Sequence, residues 1–489
     1  MQLPTKRGGI YRHGSSDSSP GDSLDPLLNE SANTNFMLNY ALYDTLTRPD
    51  FTNITAQNHL AEFLEPAKDL SYWDVRLHDA EFSNGKPVTA DDLIFTLKRV
   101  LNPKSPGTDA AGIASIDINR LKKMDNKTLR MYLKVPDRTV SLGFAIPGTS
   151  IVPQDFDPKK PVGSGPFTLQ SFNPGRDTVF ARNPNYWRSG WPFLDELHIV
   201  GFADPNATRM NALEAGQIDG VDNVQPSLVA TIEGNPNVYV LITKSYSTNT
   251  YEMRVDVPPF NDVRVRRAMK LLANRPQIVE EALSGSRFGS VANDLFNPAD
   301  PVFDHALPPV EQDIEQAKSL LKAAGQSDLR VTWYGGHFFP GAVETVEVLA
   351  QNAKAAGATI NIHVVPDTTT YFSKYAFSTQ FKFDYWTSAP IILFWRLSVL
   401  PTGGINYSHY NDPKFNSLVA SYVAEPDFVK AKQYMAEAQQ IYQPDGPQAI
   451  YAYKNGVDAY NPKFTGFAHV NVWGGGLNYF IYDSVGLAS

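Results

Sequence analysis

Hydrophobic and polar positions along the chain alternate in short blocks that switch between a strand-like period of about 2 and a helical one of about 3.6. Trp73-Asp74-Val75-Arg76-Leu77 alternates as a half-buried strand does, and Asn84-Gly85 follows as a turn. Over 88–101, Leu93, Leu97, Val100 and Leu101 recur at helical spacing; Thr89 is the N-cap, Asp92 its capping-box partner, and Asn102-Pro103 the stop. A strand over 128–135 ends at Pro136. Pro161-Val162-Gly163-Ser164-Gly165-Pro166 is a dense cluster of breakers and reads as a chain crossover or boundary. Beyond it come a helix over 207–215 closed by Gly216, a strand over 237–243, helices over 262–273 and 276–283, and an apolar stripe of Ile314, Ala317 and Leu321 ended by Gly325. The clearest unit is βαβ: a strand over 329–334, a helix over 342–356 stopped by Gly357, and a strand over 360–364 ended by Pro366. Such a unit implies a parallel pair with a right-handed crossover. Helices over 415–423 and 429–442 close the pattern, and no repeat or low-complexity tract interrupts it. The class is α/β or α+β with mixed sheets.

Length and composition narrow the partners. The 489 residues suggest about three domain-sized units, and 42% hydrophobic residues supply several cores. The 43 basic and 51 acidic side chains give a net charge of −8 without long blocks, so no nucleic-acid partner is expected. The longest strongly apolar run, 389–395, ends at Arg396, far short of the ~20 residues of a membrane span. The complete lack of cysteine removes disulfides, thiolate metal sites and cysteine nucleophiles, and leans toward an exported protein. Met1-Gln2-Leu3-Pro4 has no apolar segment of a signal peptide, leaving a mature exported form or a cytosolic one.

Catalytic signatures fail one by one. Gly163-Ser164-Gly165 lacks the nucleophile-elbow spacing and reads as turn chemistry, Gly85-Lys86 is followed by Pro87 rather than a hydroxyl residue, and no histidine pair has metal-ligand spacing. His409, between Tyr407 and Tyr410, reads as a surface or satisfied loop histidine. Aromatic groups beside glycines remain: Tyr385-Trp386, Phe394-Trp395-Arg396, Asn406-Tyr407, and Trp473 before Gly474-Gly475-Gly476. Each fits a core as well as a cleft; as a set they favour binding over turnover.

Several blocks share one resemblance. Trp73 to Leu77 with Phe82-Ser83-Asn84-Gly85-Lys86-Pro87-Val88-Thr89-Ala90-Asp91-Asp92-Leu93 resembles the W-x-x-x-L-R…F-x-D-G-x-P-x-T-A-x-D-V signature of the extracellular solute-binding proteins of the peptide/nickel class, family 5, which serve ABC importers. Lys6-Arg7-Gly8-Gly9, Leu24-Asp25-Pro26 and Leu42-Tyr43-Asp44-Thr45-Leu46 are similar to its opening, and the 161–167 cluster with Arg182-Asn183-Pro184-Asn185-Tyr186-Trp187 to its V-G-T-G-P-Y region. Leu213 to Asp219, Pro258-Pro259-Phe260-Asn261-Asp262-Val263-Arg264-Val265-Arg266-Arg267-Ala268 and Asp313 to Gly325 continue it in order along nearly the whole chain.

The resemblance implies an α/β, two-lobed periplasmic-binding-protein-like fold (class C, type II) with mixed sheets and an extra domain. Domain I would comprise 1–40, 163–254 and 467–489, domain II 41–162, and domain III 255–466. It implies a monomeric, extracytoplasmic binder without enzymatic activity, cofactor or metal, which captures a peptide or other small-molecule ligand by hinge closure and delivers it to ABC permease subunits. Membrane association would come only through the permease or a lipid anchor outside this chain. Expected ligand residues are Asn33, Trp386, Ser388, Trp395, Arg396, Asn406, Tyr407 and Trp473, aromatics stacking and Asn and Ser hydrogen bonding. The run Arg264, Arg266, Arg267 reads as a solvated, ion-paired helix face. One departure stands out: peptide-binding members place an aspartate a few residues past a domain III tryptophan to pair with the peptide ammonium. No Asp or Glu lies between Asp384 and Asp412, and the charged residue there is Arg396. Either an acid from elsewhere, such as Glu30, replaces it, or the ligand is a capped peptide, a carbohydrate, or an amphipathic or anionic molecule. A secreted hydrolase with distant carboxylates and a nickel- or haem-binding relative are the other readings.

Overall fold

The computed structural model describes all residues except 1–3, 5, 29–31, 105–106, 203–206, 469–472, 474–476 and 489. The helix Ala90–Val100 starts where the sequence indicates: Asp92 Oδ2 accepts hydrogen bonds from the Thr89 N–H at 2.9 Å and hydroxyl at 2.7 Å. Its buried Leu93, Leu97 and Val100 share a core with Trp73, Val75, Leu77, Leu129 and Met131. Those residues line a four-stranded antiparallel sheet, in spatial order Ala61–Pro66, Tyr72–Leu77, Thr128–Leu133, Ile116–Lys123.

The second sheet has eleven strands, drawn from residues 10–15 and 167–460. At one end, Arg330–Gly335 and Thr359–Val364 pair in parallel across the helix Ala342–Ala355, as the sequence predicts. Phe381–Trp386 lies against the other side of Arg330–Gly335, also in parallel. At the opposite end, Ile10–Ser15 sits parallel between Glu196–Gly201 and Gly220–Val221, flanked by Asp177–Arg182 and Phe167–Asn173. Two long antiparallel strands, Tyr239–Met253 and Gln448–Tyr460, join the halves. Their register breaks in the middle: Thr243 faces Gly456 and Ser247 faces Lys454, so Lys244, Ser245 and Tyr246 stand opposite Asn455 alone. Such a bulge bends and twists a ladder locally. Two lobes therefore meet at this break.

The strand expected over 237–243 thus continues to Met253. Polar residues hid the continuation, because Thr248, Asn249 and Thr250 are buried by flanking strands rather than exposed. The helix expected over 276–283 is a short α-turn, Arg275–Gln277, running into a π-turn, Ile278–Ala282. The closing pair is Pro413–Ala424 and Phe428–Asp445, N-capped by Asp412 and Asp427. In the Arg264–Arg267 run, Arg264 pairs with Asp262 and Arg267 with Asp445, but Arg266 is buried and donates to the Phe260 and Asp445 carbonyls. It is a structural tie, not a solvated face.

The breaker cluster is a close backbone crossing. A Cβ on Gly163 would lie 1.9 Å from the Leu42 carbonyl oxygen, and one on Gly165 2.4 Å from the Leu42 carbonyl carbon. The Gly165 N–H donates to that oxygen at 2.9 Å. Only glycine lets the returning chain rest against the end of the helix Ala32–Leu42.

The lobes are packed together over the break. One apolar cluster unites Tyr40, Ala145 and Ile146 with Phe394, Trp395, Phe415 and Tyr442. Beside it the Arg138 N–H donates to the Val423 carbonyl.

Candidate ligand cleft

A narrow cleft with a cavity volume of about 50 Å³ lies at the register break. Its floor comes from the two crossing strands, through Ser247, Thr248 and residues 454–457. One wall is aromatic: Phe339, Tyr385 and Trp386. Phe339 and Tyr385 have ring centroids 3.9 Å apart, and Trp386 is braced edge-on by Phe394 at 5.0 Å. The Asn249 amide holds the Phe339-Pro340 turn in place by donating to the Pro340 carbonyl at 2.7 Å. The lining also includes the amides of Asn33, at the start of the helix Ala32–Leu42, and of Asn223. Apolar surface with a few fixed polar groups suits a small organic molecule.

Asn223 is held by a buried polar network. It has φ of 49°, its amide donates to Asp222 Oδ2 at 2.8 Å, and its N–H donates to Asp458 Oδ1 at 3.2 Å. Asp222 also accepts from Ser16 and Arg209 and pairs with His13 Nε2 at 3.1 Å. Burial opposes ionisation of Asp222, but the His13 hydrogen bond and the Arg209 charge win and hold its carboxyl down at about 2. Asp458 goes the other way: burial, aided by the Asp222 charge, pushes it up to about 8.

Charge inside the cleft is sparse. Among the described residues lining it, Lys454 is the one with a charged side chain. Asp384 precedes Tyr385 in sequence but faces the other side of the sheet. There Gln448 donates to it at 2.9 Å and to Glu252 at 3.3 Å, and Lys382 lies 4.0 Å from Glu252. Burial raises both carboxyls, Glu252 to about 7.

Of the residues expected at the ligand, the structure brings Asn33 and Trp386 together in this cleft. The other six lie outside its lining, each with a packing or hydrogen-bonding duty. Ser388 is buried and its N–H donates to the Ser247 hydroxyl. Trp395 packs edge-on against Phe415 at 4.7 Å and beside Tyr442. Arg396 pairs with Asp137 at 2.6 Å and donates to the Gly112 carbonyl, tying the two lobes. Asn406 donates to the Val399, Leu400 and Tyr410 carbonyls and so shapes its own loop. Tyr407 meets Phe377 edge-on at 4.6 Å, and Trp473 donates its indole N–H to the Thr55 carbonyl at 3.0 Å. Glu30 and Gly474 to Gly476 lie outside the described residues. His409 sits at the surface, 3.0 Å from Asp256. Among the described residues no group of three potential ligands could hold a metal, and no helix is long and apolar enough to cross a membrane.

Two α/β lobes, a mixed sheet passing between them and a cleft where it crosses define the periplasmic-binding-protein-like class. The sequence profile of the bacterial extracellular solute-binding proteins, family 5 (middle region), matches residues 55–392, and the chain belongs to this family. The di/tripeptide-binding protein 2 of Pseudomonas aeruginosa (strain UCBPP-PA14) is 27% identical over 321 residues, covering 59% of this chain and 58% of that protein's length. Among solved structures, the binding protein AgaA of A. tumefacien R10, in complex with agropinic acid, superposes with a TM-score of 0.87 at 21% identity, covering 98% of this chain and 99% of that one. DppA of Helicobacter pylori, in complex with the peptide STSA, gives 0.87 at 19% identity, with 99% of each chain covered. At these identities the two structures share the fold.

Proposed function

We propose that this protein is the substrate-binding component of an ABC importer, acting outside the cytoplasm by closing its lobes over a small organic solute and presenting it to permease subunits. It binds without catalysing. The observation that carries this reading is the cleft's position: aromatic rings and side-chain amides line it together with the residues on both strands at the register break, where a hinge would bend. The reading carries a division into domain I (1–40, 163–254, 467–489), domain II (41–162) and domain III (255–466), with a hinge at 244–246 and 455 moving the domain I/III boundaries back to those positions. Relatives named as di/tripeptide- and oligopeptide-binding proteins support a peptide-like solute. A solute without a free ammonium, a capped peptide or a non-peptide, has a specific observation in its favour: no carboxylate is among the described residues lining the cleft.

A thermal-melt panel of free peptides, N-acetylated peptides, oligosaccharides and small organic acids tests the reading. A solute that binds only the folded protein stabilises it by about 2.7 kcal/mol at 100-fold excess over Kd. At least one class raises the melting temperature saturably with one-to-one stoichiometry, and Trp386→Ala weakens that compound by about 1–2 kcal/mol. A panel without any shift, or a shift indifferent to Trp386, sinks the assignment.

A further inference from the structure

Lys454 occupies an unusual place for a lysine. It sits in the interior of the eleven-stranded sheet, paired with Ser247 on one side and Gly289 on the other, at the last position before the register break. Its side chain lines the cleft with Phe339, Tyr385 and Trp386. Lys454 is half-buried, and the fully buried cations of the protein all have acceptors at hand. Arg209 is paired with Asp222 and Arg275 with Asp294, while Lys270 donates to the Gln443 carbonyl at 2.7 Å and Lys382 to the Tyr407 carbonyl at 2.9 Å. Among the described residues Lys454 has no carboxylate or carbonyl in that role. Burial is the cause that lowers its ammonium, to about 8.

A half-buried ammonium lining a cleft without a counter-charge becomes unfavourable once the lobes close over it and exclude water. The missing counter-charge must then arrive with the solute. One ammonium balances one negative charge, and the remaining polar groups lining the cleft are neutral amides and hydroxyls, which suit a carboxylate and the polar body attached to it rather than a dianionic phosphate. Building on the capture reading above, we propose that Lys454 is the specificity-determining residue of the cleft and that the solute is a small organic monocarboxylate, its carboxylate on Lys454 and its apolar or ring portion against Phe339, Tyr385 and Trp386.

Matched acid and amide probes test this by isothermal titration on the full chain: benzoylglycine against benzoylglycinamide, and an N-acetylated aromatic dipeptide against its C-terminal amide. At least one acid binds saturably, and its amide binds roughly 30-fold or more weakly. Lys454→Met brings the acid down to the amide's affinity, whereas Lys454→Arg retains the preference. The ligand-free Lys454→Met protein melts no lower than wild type, since the change removes a half-buried charge without stranding a partner. Equal binding of acid and amide, or undiminished acid binding by Lys454→Met, overturns the inference. So does failure of every acid while neutral solutes of the melt panel bind, an outcome that leaves the capture reading standing. A protein that binds nothing in either set overturns both.

Discussion

Replacing Asp222 by alanine lowers the stability of the protein by about 3–5 kcal/mol, the range for breaking a buried ion pair from one side. Asp222 accepts hydrogen bonds from Ser16, Arg209 and Asn223, pairs with His13, and is fully buried. Its loss leaves the Arg209 guanidinium, itself 1% exposed, with the Gly14 carbonyl but without that carboxylate. The effect reaches the cleft as well, because Asn223 holds its left-handed conformation partly through its amide bond to Asp222. Chemical denaturation, read as a change in midpoint at constant slope, measures the loss. A midpoint within about 1 kcal/mol of wild type would show that the network is not the tie described here.

The second large effect is one of pH, at Asp458. Burial and the neighbouring Asp222 charge raise its carboxyl to about 8, against the ordinary value near 3.8. The folded protein therefore holds a proton that the unfolded chain releases. The stability this proton contributes is fully present below the unfolded value and is lost progressively as pH rises toward and through about 8. Asp458→Asn keeps an acceptor for the Asn223 N–H and carries no charge at any pH. The variant and the wild type are accordingly similar in stability near pH 4, and the variant becomes the more stable by roughly 2–4 kcal/mol at pH 8. The difference between the two proteins isolates this site from Glu252, which also titrates high, at about 7. Parallel stability curves from pH 4 to 8 would rule out a buried, protonated Asp458.

How much of this was legible in the sequence depended on how local its cause was. The Thr89–Asp92 capping box, the left-handed Gly325 and Gly357 that end their helices, and the βαβ unit all rest on interactions within a few residues, and all are where the pattern puts them. The long crossing strand was legible only to Thr243. Its second half is polar, and its burial is imposed by Phe381–Trp386 and Gln448–Tyr460, far away in sequence. The glycines at 163 and 165 announced a crossing without saying what lay beneath them.

The cleft followed the same rule. Trp386 and Asn33 were among the residues expected at the ligand, and both line the cleft. Trp395, Tyr407 and Trp473 carried the same signal, because a large core demands the same side chains. Arg396 was the charge in the right segment, yet Asp137, from the other lobe, neutralises it. Lys454 gave no signal of its own. A lysine ordinarily reads as exposed, and Asn455-Gly456 after it reads as a hairpin turn. Only the pairing with Ser247 and Gly289 puts it inside a sheet.

Capture by lobes closing at the register break, as proposed above, is tested most directly by a distance across them. The lack of cysteine lets two introduced thiols be the sole labels. Spin labels on Lys134→Cys and Lys430→Cys, both exposed and on either side of the Arg138–Phe428 contact, report the separation of the two lobes by pulsed electron resonance. Without solute the distances are broad and long; with the most stabilising compound of the melt panel they collapse to one short distance. An unchanged distribution at saturation would contradict closure as the means of capture.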